Sequence, residues 1–155
     1  MNITDKRQLL IEYTKCASNP SYTIESYFET FDKTQEGFVP FKLFDKQKLL
    51  ISNYEENRFN LVLKYRQAGI STVTAAYAAV KTAFAMSDNP ERVLILANKQ
   101  ETAVEFLNKI TGFIKQLPDF VGIGFNKSSQ KHVKLSNGSE LKAVATSTDA
   151  LRGYT

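Results

Sequence analysis

The sequence predicts an α/β fold, a three-layer sandwich around a mostly parallel sheet, with a small helical segment in front of it. Three observations lead there. Apolar runs at Leu61-Val62-Leu63 and at Arg92 to Ala97 alternate with helical patterns, giving strand, helix, strand, helix between Phe59 and Leu117. Asn137-Gly138 stands between two alternating stretches, the strongest short signal for a hairpin. Gly69 follows the first strand and opens the next helix, a strand-turn-helix arrangement that offers backbone N–H groups to a phosphate.

The elements follow in order. Thr4 to Cys16 is helical in spacing, and Asn19-Pro20-Ser21 breaks it. A second short helix carries Ile24, Tyr27, Phe28 and Phe31 on one face, and the polar stretch from Asp32 to Pro40 reads as a loop. Phe41 to Tyr54 is predicted as a third helix whose inward stripe is Phe44, Gln47, Leu50, Ile51 and Tyr54. Leu61-Val62-Leu63, continuous and apolar, is expected as a strand buried on both faces. The helix from Ser71 to Met86 turns Val73, Ala76, Tyr77, Val80 and Phe84 to the core. Arg92 to Ala97 is a second buried strand, and Asn98 with Glu101 makes a capping-box start for a helix that Pro118 stops. Two further strands, Lys131 to Leu135 and Glu140 to Ala145, flank Asn137-Gly138. Residues 1–40 are thus expected as a helical segment, and residues 41–155 as an α/β region.

With 155 residues, 43% hydrophobic and 23% charged, the chain suits one ordered domain with a core of its own. No apolar run approaches the roughly 20 residues of a membrane span. The single cysteine, Cys16, excludes an internal disulfide and reads as core packing. A net charge of +4 permits contact with nucleic acid without demanding it. Lys127, Lys131, Lys134 and Lys142 read as a solvated hairpin, and the phenylalanines at 28, 31, 38, 41 and 44 as packing between the N-terminal helices and the sheet. His132 reads as structural.

ATP hydrolysis needs a backbone cradle, a cation on the phosphates, a hydroxyl on magnesium and a carboxylate to orient water. Gln67, Ala68, Gly69, Ile70 and Ser71 would form the cradle, with Ser71 as the Mg2+ ligand and Thr72 beside it. Ile70 occupies the position of the usual lysine, which leaves Lys64 and Arg66 as the nearby cations. The same residues also fit an ordinary strand-to-helix turn with Ser71 as its cap. Gln47 either reads the adenine edge with its amide or sits at the margin of a half-buried stripe.

Lys64-Tyr65-Arg66-Gln67-Ala68-Gly69-Ile70-Ser71-Thr72 resembles the variant Walker A loop of large terminase subunits, the genome-packaging ATPases of tailed bacteriophages. The stretch from Cys16 to Tyr22 with Tyr27, the segment around Gln47, Asn137-Gly138-Ser139 and the run from Ser147 to Gly153 are similar to further parts of that family, in the same order. The resemblance implies a P-loop NTPase-like fold that binds ATP and Mg2+. Lys64 would be the displaced phosphate-binding lysine, Arg66 a cis arginine finger and Gln47 the adenine contact. It further implies double-stranded DNA as substrate, a portal protein and a small terminase subunit as partners, a ring oligomer in the full-length protein, no membrane association, and the host cytoplasm as location rather than a structural place in the virion. The family's Walker B strand would begin after Arg152-Gly153, with a nuclease domain beyond. The expectation is therefore weak nucleotide binding and little hydrolysis by this chain alone. The alternatives are a non-catalytic nucleotide- or DNA-binding module and part of a helicase-like ATPase.

Overall fold

A computed structural model describes residues 3–32, 34–65 and 68–146. The chain is mixed α/β. Helix α1 (Ile3–Ser18) and helix α2 (Pro20–Tyr27) meet at Asn19, whose side chain accepts from the Tyr22 N–H at 3.0 Å, with Pro20 in the first turn. A hairpin follows, β1 (Glu29–Asp32) against β2 (Gly37–Pro40), where a loop was expected. Its turn is drawn by Asp32, whose carboxylate accepts from the Thr34 N–H at 2.7 Å. Phe31 lies in β1 and not on α2.

Helix α3 runs Asp45–Glu56, starting four residues later than its pattern suggested. The stretch before it alternates, Phe41 and Leu43 buried, Lys42 and Phe44 exposed, which is the period of extended chain. Helix α4 (Ile70–Ala83) buries Val73, Ala76 and Val80. Strand β3 (Arg92–Ala97) matches the expected span, and α5 (Gln100–Ile114) buries Ala103, Leu107, Ile110 and Ile114. Lys99, not Asn98, stands at the start of α5. After a 3-10 turn at Asp119–Val121 come β4 (Phe125–Ser128), which the sequence reading missed, then β5 (His132–Leu135) and β6 (Glu140–Ala145).

The main sheet has the order β3-β6-β5-β4. Only β3 with β6 is parallel, in register from Arg92 opposite Glu140 to Ala97 opposite Ala145; the other two pairings are antiparallel. The mostly parallel sheet of the sequence reading is thus replaced by a mixed one, because the locally closed β5–β6 hairpin delivers β6 to the side of β3. One face, with Ile95, Val133, Leu135, Leu141 and Ala143, is buried, and α5 packs on β3 and β6. On the other face Leu94 and Leu96 are 38% and 42% exposed, so the third layer does not form among the described residues. Neither does the expected strand at Leu61-Val62-Leu63. Those residues form no strand and make no backbone hydrogen bond among the described residues, with Leu61 and Leu63 102% and 101% exposed.

Of the five N-terminal phenylalanines expected to pack the helices onto the sheet, Phe28 and Phe41 are buried but meet Phe113 of α5, at ring-centroid distances of 5.0 and 5.9 Å; Phe31, Phe38 and Phe44 are exposed. No described helix is long and apolar enough to cross a membrane.

Helices α1 and α2 are clasped by one carboxylate. Glu12 Oε1 accepts from the Tyr27 hydroxyl at 2.7 Å and the Tyr22 hydroxyl at 2.8 Å, beside buried Cys16. The Tyr27 hydrogen bond, then that of Tyr22, holds the Glu12 carboxyl below its ordinary value of 4.5. Its stabilising contribution is therefore complete above the pKa of the unfolded chain and fades as pH falls through the lower folded value. Melting temperature measured against pH should fall more steeply on acidification for the wild type than for Glu12→Gln; parallel curves would remove Glu12 from the account.

Candidate functional site

The start of α4 is set by backbone geometry. Gly69 has φ +70° and ψ 5°, a left-handed conformation that costs glycine little and other residues more. Its carbonyl accepts from the N–H groups of Thr72 and Val73, each at 3.0 Å. The earliest N–H groups of a helix have no intrahelical acceptor, so they form a weakly electropositive end. Ser71 is exposed on this first turn, and Thr72 is half-buried. Ile70, where a Walker lysine would stand, packs against the hydrophobic core.

Gln47 holds the loop from the side. It is 5% exposed. Its Oε1 accepts from the Phe44 N–H at 3.2 Å while its backbone N–H donates to the Phe44 carbonyl at 2.9 Å, closing the first turn of α3. Its Nε2 donates to the Ala68 carbonyl at 3.4 Å. A Cβ added to Gly69 would lie 2.7 Å from that same nitrogen. The amide is thus largely occupied by protein, and one Nε2 hydrogen remains for any other acceptor. Expected to lie on the inward stripe of α3, Phe44 instead is 74% exposed at the helix start.

Helices α3 and α4 are further tied along their length. The Tyr54 and Thr74 hydroxyls are 2.9 Å apart, the Tyr77 hydroxyl donates to Glu55 Oε1 at 2.7 Å, and Lys81 sits 3.3 Å from the same oxygen. Burial first, then the Glu55 hydrogen bond, pushes the Tyr77 phenol up from its ordinary value. The loop is therefore mounted on two braced helices.

Two cavities open on either side of Gln47. One, of about 590 Å³, is lined by Lys64, Tyr65, Leu49, Ala68 and Ile70. The other, of about 920 Å³, is lined by Gly69 and Thr72 together with Lys42 and Lys109. Lys64 is brought to the loop but not to the wall that Gly69 and Thr72 share. Arg66 and Gln67 lie outside the described residues, as does the stretch from Ser147 to Gly153. Lys42 and Lys109 were missed in the sequence because 27 and 40 residues separate them from Gly69, a distance no local motif spans.

His132 is less isolated than its sequence neighbours suggest. Strand pairing places Glu140 3.4 Å from its Nε2, an ion-pair distance without hydrogen-bond geometry, and Lys134 and Lys142 lie 3.4 and 3.5 Å from the same carboxylate. Desolvation works against the charged Glu140, but the Lys134 hydrogen bond and the charges of Lys142, Lys134 and His132 outweigh it and hold the carboxyl down. This is a structural charge cluster. Among the described residues no group of three or more His, Cys, Asp or Glu side chains is arranged to hold a metal. No family model matches the chain.

Proposed function

We propose that the chain is the nucleotide-binding region of a P-loop ATPase of the kind found in large terminase subunits, which drive double-stranded DNA into a procapsid. The observation that carries this reading is the left-handed Gly69 at the mouth of α4, clasped by Gln47, with the Ser71 hydroxyl exposed on the first turn. Such a turn can bring backbone N–H groups against a phosphate chain without a side chain intervening. Ser71 Oγ would hold a Mg2+ ion, whose chemistry there would be to offset phosphate charge. Lys64 and Arg66 would add the positive charge that Ile70 lacks, by the resemblance. Gln47 would act first as a brace for Ala68 and Gly69, and secondarily toward the base. The portal, the small subunit and a ring assembly belong to the same reading.

The test is equilibrium binding of ATP to the full chain with and without magnesium. Saturable binding is expected, and Ser71→Ala should weaken it about tenfold with Mg2+ present while changing Mg2+-free binding little. Absence of saturable ATP binding at millimolar concentrations would overturn the reading. A second reading, binding without turnover, is favoured by one observation. The parallel strands β3 and β6 are followed by Asn98 and Thr146, so neither ends in a carboxylate able to orient water. Phosphate release that is abolished in Ser71→Ala would exclude it.

A further inference from the structure

We infer that Lys42 and Lys109 supply the positive charge for the nucleotide's polyphosphate, held in the groove between the β1–β2 hairpin, α4 and α5. The inference rests on the nucleotide reading above and assigns part of its charge to residues that no local motif contains. The groove is the 920 Å³ cavity, with Phe31 and Phe41 among its apolar walls and Gly69 and Thr72 on its α4 side. Lys42 enters from the extended stretch before α3, and Lys109 from the third turn of α5.

Within this groove these two lysines carry the positive charge, and neither has a carboxylate partner among the described residues. Lys48 is paired with Glu25 at 3.0 Å and Lys81 with Glu55 at 3.3 Å. Lys42 and Lys109 make no ion pair among the described residues, although they line one groove. The acid that lines it with them, Asp32, is turned into its own hairpin, accepting from the Thr34 N–H at 2.7 Å and the Gln35 N–H at 3.4 Å. Two unpaired ammonium groups facing one concave space, next to a glycine-opened helix, attract a ligand in proportion to its negative charge. A triphosphate satisfies that better than a monophosphate. Lys64 lines the other cavity.

The experiment is competition of ATP and AMP, each with Mg2+, against a fluorescent ATP analogue on the full chain. Lys109→Ala and Lys42→Ala should each weaken ATP about tenfold, the scale of one charge-assisted contact, and leave AMP nearly unchanged. Lys109→Arg should restore the ATP preference, and Lys48→Ala, at a lysine paired with Glu25 and outside the groove, should keep the ATP-to-AMP ratio of the wild type. Both lysines are exposed, so unchanged circular-dichroism melts are expected for all variants. Wild-type ATP affinity in the Lys42→Ala Lys109→Ala double variant would overturn the inference while leaving the nucleotide reading intact. If the wild type binds no nucleotide, tripolyphosphate decides: binding that the double variant loses keeps the groove and rejects the nucleotide, and no binding rejects both.

Discussion

Gly69→Val is expected to abolish saturable ATP binding and to destabilise the fold by about 2–4 kcal/mol in urea denaturation, the sum of a left-handed backbone penalty and local overpacking. Two independent effects act at this position. A φ of +70° is unfavourable for any residue with a Cβ and worst for a β-branched one. A Cβ there would also meet Gln47 Nε2 at 2.7 Å, too close for a carbon against an amide nitrogen. Gln47 has little room to retreat, because its other amide atom closes the first turn of α3 and the side chain is buried. The strain is therefore shared between α3 and the start of α4. Gly69→Ala should show the same direction with a smaller loss. A Gly69→Val protein with wild-type stability would mean that the left-handed turn is not what positions α4.

How much of this was legible in the sequence depends on where each residue finds its partner. β3 was read with its observed bounds, and β5 and β6 were placed to within a residue, because alternation and the Asn137-Gly138 turn are local signals. The same local logic failed at Leu61-Val62-Leu63. An apolar run says that a segment would profit from burial, not that a neighbouring strand edge is offered to it. The hairpin at residues 29–40 was lost for the converse reason, since strands of four residues with exposed phenylalanines carry little pattern.

The candidate site divides in the same way. Gly69, Ser71 and Thr72 form a contiguous motif and were read from it. Gln47 was noticed as a buried amide, but its acceptor lies 21 residues away, and the brace that this pairing forms left no local sign. Two other glutamines do similar work. Gln100 donates to the Ala143 carbonyl at 2.9 Å and accepts from the Ala145 N–H at 3.2 Å, which fixes the end of β6 against α5. Gln116 accepts from the Glu29 N–H at 2.7 Å and fixes β1. Each amide presents a donor and an acceptor together, matched to a backbone segment that has lost its own partners. Spacing in the sequence carries no trace of such pairings.

The clearest case of long-range pairing yields the last expected result. Asn137, at the tip of the β5–β6 hairpin, donates its Nδ2 to the Thr82 carbonyl at 2.8 Å and the Ala85 carbonyl at 2.9 Å, capping the C-terminal end of α4. Its Oδ1 accepts from the Ser139 N–H at 3.1 Å, which holds the turn. Beside it Gly138 has φ +89°, and a Cβ added there would lie 3.4 Å from Pro90 Cβ. Thr82 and Ala83 are buried, so water replaces the lost donor poorly. Asn137→Ala should therefore cost about 1–3 kcal/mol, a fall of roughly 3–8 °C in Tm for a domain of this size. Asn137→Asp should be worse than alanine at neutral pH, because it sets a carboxylate against backbone carbonyls at the negative end of the α4 dipole. Acidification should narrow the gap between the two variants, since a protonated carboxyl regains a donor. The order Asn, Ala, Asp in melting temperature tests the cap itself; an aspartate variant as stable as wild type would show that the carbonyls of α4 draw nothing from residue 137. Since α4 begins at the Gly69 turn and ends under this asparagine, the same substitutions report whether loosening the far end of the helix is felt at Gly69. ATP affinity unchanged in Asn137→Ala, beside a lowered Tm, would show that the loop is held by Gln47 alone.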